Sequence, residues 1–224
     1  MKTGLAFILL LFFSLQNIAQ TMTKALPPAA KSGGMPLMEA LSKRCSTREF
    51  AAKDIPDQVL SDLLWAAWGI NRENDDKRTA PSSTNKQEID IYVFKPDGVF
   101  KYIPKGHLLE NVTNEDFRSF CGRQDFVASA PLNLVYIADL AKTDQTDFTA
   151  EPVASYSNAG FIAQNVYLFC ASEGLGTVVR GAVDKDLLQE KLKLKPSQKI
   201  ILAQTVGFPK NQTPNHFDEQ QTSR

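Results

Sequence analysis

Ile89-Asp90-Ile91-Tyr92-Val93-Phe94-Lys95-Pro96-Asp97-Gly98-Val99-Phe100-Lys101-Tyr102-Ile103 decides the fold of this chain. Ile89, Ile91 and Val93 alternate with Asp90, Tyr92 and Phe94, the period of a strand. Pro96-Asp97-Gly98 makes a turn and Val99 to Ile103 returns, so the stretch predicts a β-hairpin. Toward the C-terminus, Leu132 to Ala138 is apolar at both parities and predicts a buried strand. Thr177 to Val183 and Ile200 to Val206 predict two more, the last closed by Gly207-Phe208-Pro209.

Helical patterns surround these strands. Leu37, Met38 and Leu41 give a short helix ending near Arg44. Pro56 opens a second at a favourable first-turn position, with Val59, Leu60, Leu63, Leu64, Ala67 and Trp68 at helical spacing and Gly69 as its stop. Asn114 to Gly122 reads as a polar helical patch. Ser155 to Glu173 is the longest helix, ended by Gly174, and Asp184 N-caps another that runs to Lys193. Apolar and small residues cover nearly the whole girth of the long helix, including Ala159, Phe161, Ile162, Val166, Tyr167 and Phe169. Such a helix is expected to be buried on every side. Helices and strands mix without steady βαβ alternation, which predicts one α+β domain rather than a doubly wound sheet.

The 224 residues allow one large domain, with 43% apolar and 22% charged residues, enough for a core. Lys plus Arg and Asp plus Glu both total 25, so no basic excess points to nucleic acid. Residues 1–20 read as a secretory signal peptide: Lys2, an apolar run from Leu5 to Leu15, then Ile18-Ala19-Gln20. The run is shorter than the roughly 20 apolar residues of a membrane span. The expectation is therefore an exported, periplasmic protein with no span after signal removal; a retained N-terminal anchor is the alternative. Residues 21–35 read as a flexible lead-in and residues 211–224 as a C-terminal tail. Cys45, Cys121 and Cys170 match no metal spacing, and His107 and His216 complete no metal site. No Gly-x-Ser-x-Gly elbow supports a serine hydrolase.

Two tracts carry chemistry. Lys43-Arg44-Cys45-Ser46-Thr47-Arg48 sets two guanidinium forks and two hydroxyls close together, which suits a phosphate. A solvated basic turn, with Arg48 paired to Glu49 or Asp54, is the alternative. Pro81-Ser82-Ser83-Thr84-Asn85-Lys86-Gln87 is a turn feeding a sheet edge, able to aim amides at the polar rim of a flat heterocycle, or simply a surface turn. The two tracts suit a phosphorylated, ring-bearing cofactor, and flavin mononucleotide (FMN) fits both. Gly174-Leu175-Gly176 follows a helix and precedes a strand, the reverse of a dinucleotide fingerprint. Arg72 and Arg78 read as solvated loop charges, with recognition of an acidic substrate as the alternative.

In the order of these pieces, from about Met35 to Pro209, the chain resembles the nitroreductase-like FMN-dependent oxidoreductases, in the branch that includes thiazoline-forming oxidases. The matching stretches are Arg44 to Phe50, Leu64 to Arg72, Pro81 to Gln87, Asn158-Ala159-Gly160 through Gln164-Asn165, and Gly174-Leu175-Gly176. The resemblance implies a three-layer fold over residues 36–210, a mixed, mainly antiparallel sheet flanked by helices, in an intertwined homodimer with FMN at the interface. It implies phosphate and ribityl contacts from Arg44, Ser46 and Arg48, with Cys45 contributing backbone. Pro81, Ser82, Ser83 and Asn85 would form the partner-subunit edge along the isoalloxazine, with Gln87 pointing the same way. Val179, Arg180 and Gly181 would lie against the ring near its reactive nitrogen. Gln124 is a ring-edge or ribityl candidate, and Lys210 or Arg224 a late basic contact to the phosphate. Chemistry would centre on the flavin, with no side chain assigned as catalytic and NAD(P)H a possible electron donor. Small acceptors such as nitroaromatics or quinones would follow in ping-pong order. No Lys–Tyr pair in the sequence can be equated with that of thiazoline oxidases. A flavin-binding or scaffold protein without turnover is the other reading, and an exported interaction domain without cofactor a third.

Overall fold

The computed structural model describes residues 22–210. The signal-peptide reading of residues 1–20, the tail from residue 211, His216 and Arg224 lie outside the described residues. In chain order the elements are β1 (Thr23–Ala25), α1 (Leu37–Lys43), α2 (Asp57–Trp68), β2 (Ile70–Arg72), β3 (Lys77–Arg78), β4 (Ile89–Lys95) and β5 (Gly98–Ile103). There follow β6 (Leu108–Thr113), α3 (Phe126–Ser129), β7 (Leu132–Asp139), α4 (Val153–Ser172), β8 (Gly176–Arg180), α5 (Lys185–Lys191) and β9 (Gln198–Gly207).

Seven strands form one sheet in the order β1-β6-β5-β4-β7-β9-β8, and β2 with β3 makes a separate small hairpin. Every registered pair among the described residues is antiparallel. The hairpin expected from Ile89 to Ile103 is β4–β5, with Lys95 opposite Gly98. Strand alternation builds two cores. Ile89, Ile91 and Val93 of β4 face α2 and α4, among Leu63, Leu64, Ile162 and Val166. Tyr92 and Phe94 face the other way, among Cys121, Val127, Leu188 and Leu192 beside α3 and α5. Helices thus cover both faces of the sheet, giving the three layers of an α+β domain. Each fully buried Leu or Ile here contributes about 1.5–3 kcal/mol relative to exposure.

Three expectations change. The lead-in is tied down: β1 pairs with β6, Leu26 N–H donates to His107 O (3.1 Å), Ala30 N–H to Asp62 Oδ1 (2.7 Å) and Met35 N–H to Ser172 Oγ (2.7 Å). Its Pro-, Ala- and Gly-rich composition carries no sign of the backbone donors that do this. The patch from Asn114 to Gly122 forms only a 3-10 turn at Arg118–Cys121. There Thr113 and Asp116 side chains accept the N–H groups of Glu115 and Arg118, in place of helical carbonyls. Finally, α4 is not enclosed all round: Val153 is 72% and Phe161 49% exposed. Its opposite face, with Asn158, Ile162, Val166 and Cys170, is buried against the sheet and α2.

The three cysteines are free thiols, Cys45 exposed and Cys121 and Cys170 buried. Among the described residues no helix is long and apolar enough to cross a membrane, and no cluster of His, Cys, Asp or Glu could hold a metal ion.

Candidate functional site

The sheet ends at β8, whose outer edge meets the loop that follows α1. Helix α1 stops as Arg44 N–H donates to Ala40 O (2.9 Å), and the backbone then turns extended. Thr47 N–H donates to Thr177 O of β8 (2.9 Å). Gly176 allows this approach, since a Cβ there would lie 2.7 Å from Thr47 Cγ2. Two residues along β8, Val179 N–H donates to the Tyr167 phenol of α4 (3.0 Å). The same phenol lies 3.0 Å from Ser46 Oγ, and the Arg44 guanidinium stands 5.2 Å from the Tyr167 ring centroid. Arg44 and Ser46 therefore meet the distant Val179 at one buried tyrosine.

Arg48 is exposed, and neither it nor Arg44 joins an ion pair among the described residues. The alternative pairing of Arg48 with Glu49 or Asp54 does not form. The end of β9 comes alongside this loop: Ala51 N–H donates to Phe208 O (2.8 Å), and Lys210 N–H to Glu49 O (3.1 Å). Lys210 thus arrives beside Arg48 without any sequence proximity. The Cys45 thiol is exposed, with Sγ 4.0 Å from Thr47 Oγ1.

The Pro81–Gln87 turn docks elsewhere. Thr84, Asn85 and Gln87 have φ of 47°, 56° and 50°. The Gln87 side chain accepts from Arg78 Nε (2.9 Å) and donates to Asp76 O and Asn85 Oδ1 (both 3.1 Å), while its N–H donates to Ser82 Oγ (3.0 Å). Gln87 therefore holds the turn from inside instead of projecting outward with Asn85. Ser83 N–H donates to Asn158 Oδ1 (3.1 Å), and Asn158 Nδ2 donates to the buried Glu88 Oε1 (2.7 Å). Pro81, Ser83 and Asn85 are left exposed. Asn158 and Tyr167 both sit on α4, about 13 Å apart along its axis at the usual helical rise. In one chain the turn and the loop occupy opposite halves of that helix.

Arg180 departs furthest from expectation. Arg180 is 6% exposed, and its guanidinium points into the core on the α3 side. It donates to Cys121 O (2.7 Å), Asn133 Oδ1 (2.9 Å) and Thr205 Oγ1 (2.9 Å), and stands 5.9 Å from the Phe126 ring centroid. Burial pushes its pKa down, and all three acceptors are neutral. A side chain on Gly122 would collide with this guanidinium, so Arg180 fixes the segment that leads to the exposed Gln124. Gly181 is exposed at the end of the strand. Arg78 is half-buried, 5.7 Å from the Trp68 ring centroid, and is no solvated charge; Arg72 is exposed and donates to Arg78 O (3.0 Å).

Sequence reading took Tyr167 as packing in a helix of apolar and small residues, and quoted Asn158 only as part of a matching stretch, with no role assigned. It also missed a surface contact in which Lys185 Nζ donates to Tyr156 OH (3.1 Å), since the two residues are remote in the chain.

A helix-flanked antiparallel sheet, with a cationic loop laid on its edge strand, defines an α+β protein. The Nitroreductase family model matches residues 41–208. A Methanocaldococcus jannaschii protein named as a nitroreductase is 32% identical over 176 residues, covering 74% of this chain and 88% of its own. A Ralstonia eutropha crystal structure assigned to the nitroreductases superposes with a TM-score of 0.79 at 42% identity, over 85% of this chain and 90% of that one. At 20% identity, a nitroreductase-type structure from Desulfovibrio desulfuricans, solved with FMN, shares the fold with a TM-score of 0.58, over 84% of this chain and 96% of that one. The chain belongs to the Nitroreductase family and is a flavin-dependent oxidoreductase.

Proposed function

We propose that this protein binds FMN between two copies of itself and relays hydride, in ping-pong order, from a donor to a small organic acceptor such as a nitroaromatic or a quinone. One observation carries the reading. Among the described residues Arg44 and Arg48 pair with no carboxylate beside Ser46, and Lys210 meets the same loop at Glu49. Such a set fits a phosphate monoester, because guanidinium forks pair with phosphate oxygens and exposed hydroxyls add donors.

The flavin, when bound, supplies the hydride chemistry, and the protein supplies position and electrostatics. Along β8 the Val179 N–H and the Thr177 carbonyl face the outer edge. Carried one step further, the same alternation turns the Gly181 amide to that edge, and the absence of a side chain leaves room for a flat ring. Arg180 supports this edge from behind. The dimer reading draws on α4: the Pro81–Asn85 turn and the phosphate loop dock on opposite halves of this helix, and exposed Val153 and Phe161 lie on it as well. A second copy would cover that apolar surface and bring the turn to the ring.

An absorbance spectrum of the purified protein tests the reading. The expected result is flavin bands that bleach with a reductant and return on adding a quinone or nitroaromatic. A colourless protein that takes up no added FMN would refute it, and bands that bleach but never reoxidise with an acceptor would favour a non-catalytic flavin carrier. The N-terminal apolar run supports export to the periplasm, away from the cytosolic NAD(P)H pool, so the reading includes a physiological donor other than NAD(P)H. Strong turnover with NADPH together with retention of the protein inside the cell would remove that part.

A further inference from the structure

We infer that Tyr167 is a positioning residue that polarises Ser46 as a hydrogen-bond donor toward the phosphate of the ligand; this rests on the FMN reading above. The argument is a count of donors. A tyrosine hydroxyl has one hydrogen to give and can accept. Tyr167 OH accepts from Val179 N–H (3.0 Å), a backbone group that can only donate. The phenol sits on a residue that is only 8% exposed, so its own hydrogen needs a protein acceptor, and Ser46 Oγ stands at 3.0 Å. If Ser46 donated instead, the phenol would accept twice and leave its hydrogen unmatched in a buried position, which is unfavourable. The chain of hydrogen bonds therefore runs Val179 N–H to Tyr167, and Tyr167 O–H to Ser46. The exposed Ser46 hydroxyl keeps its hydrogen for an acceptor outside the protein. Arg44, 5.2 Å from the Tyr167 ring centroid, sets a positive charge at the same place. A relay that ends on an outward donor beside a cation selects an anionic oxygen, not a neutral or cationic group.

The inference has a signature that mere packing would not give. Riboflavin shares the ring and ribityl chain of FMN and lacks the phosphate. Tyr167→Phe keeps the packing ring and removes the relay. It is expected to weaken FMN binding about tenfold, while riboflavin affinity changes by less than about threefold, with folding checked by thermal denaturation. In a Ser46→Ala background the same substitution should weaken FMN by less than about threefold, because the relay then has no terminus. Equal losses for both ligands, or full additivity with Ser46→Ala, would overturn the relay. Should Tyr167→Phe fail to fold, Ser46→Ala can still refute the relay: no loss of FMN affinity, or an equal loss for riboflavin, overturns it. Inorganic phosphate, titrated calorimetrically, separates the two levels of the argument. Wild-type protein that takes phosphate through Ser46 and Tyr167 but not FMN would retain the relay and refute the FMN reading. Protein that takes neither would refute both.

Discussion

Arg180 Nη2 donates to Asn133 Oδ1 across 2.9 Å inside the core, joining the edge strand β8 to the interior strand β7. Thr205 of the intervening strand β9 also donates to Asn133 Oδ1 (2.6 Å) and accepts from the same Arg180 nitrogen (2.9 Å). A charge thus crosses three strands on neutral acceptors alone. Arg180→Met should destabilise the fold by roughly 3 kcal/mol, since it strands buried acceptors that no water can reach. Urea denaturation of the two proteins measures it, and a change below about 0.5 kcal/mol would show that the network is dispensable.

Arg44→Ala combined with Arg48→Ala should leave thermal stability nearly unchanged, because neither guanidinium holds an ion pair among the described residues. Flavin retention should fall by a factor of about 100 or more, as hydrogen bonds to charged groups contribute roughly 1.5–3 kcal/mol each. Fluorescence titration with FMN reads the loss. Unaltered affinity would mean that the clamp is misassigned.

Phe161, 49% exposed on α4, tests the assembly. Phe161→Arg should yield a monomer in sedimentation velocity, because a charge placed in an apolar interface is desolvated without a partner. The monomer should retain its fold and lose bound flavin. A dimer of undiminished stability would place the contact surface elsewhere.

His107 links the lead-in to the sheet and should make stability depend on pH. Its Nδ1 lies 2.9 Å from Tyr102 OH and its Nε2 2.7 Å from Ser61 Oγ, which itself donates to Pro27 O. Ser61 must therefore accept from Nε2–H, and Tyr102 must donate to Nδ1, so the ring is neutral. Burial holds its pKa below the usual 6.5, against a rise from Asp62. The unfolded chain then binds the proton more readily. Stability contributed by His107 is complete above the unfolded pKa and is lost as pH falls from there toward the depressed folded value. Melting temperature should drop between pH 7 and pH 5, and His107→Asn, which tolerates the positive φ of 49° at this position, should flatten that drop. A slope identical in both proteins would assign it to other groups.

The sequence by itself determined the elements whose signals are local. The alternation of Ile89 to Phe94 was enough for a strand of a hairpin, and because strand parity sends Ile91 and Tyr92 to opposite faces, each meets a core of its own. The boundaries of α2 at Pro56 and Gly69, and of α4 at Gly174, followed from residues that start or end helices wherever they occur. Arg44, Ser46 and Arg48 were legible as a cluster because they are adjacent.

Tertiary structure decided everything that depends on partners remote in the chain. Tyr167 and Val178 both read as apolar, yet the first is a hydrogen-bonding node and the second is core, and only the position of α4 against the edge of β8 separates them. Arg180 looks like an exposed cation until the packing of β7, β9 and the Cys121 turn supplies its acceptors. Lys210 reaches the Arg48 loop only because β9 runs back past it. The reason is common to all three: a hydrogen bond or a charge is governed by the groups within a few ångströms, and sequence spacing specifies those groups only along a single helix or strand.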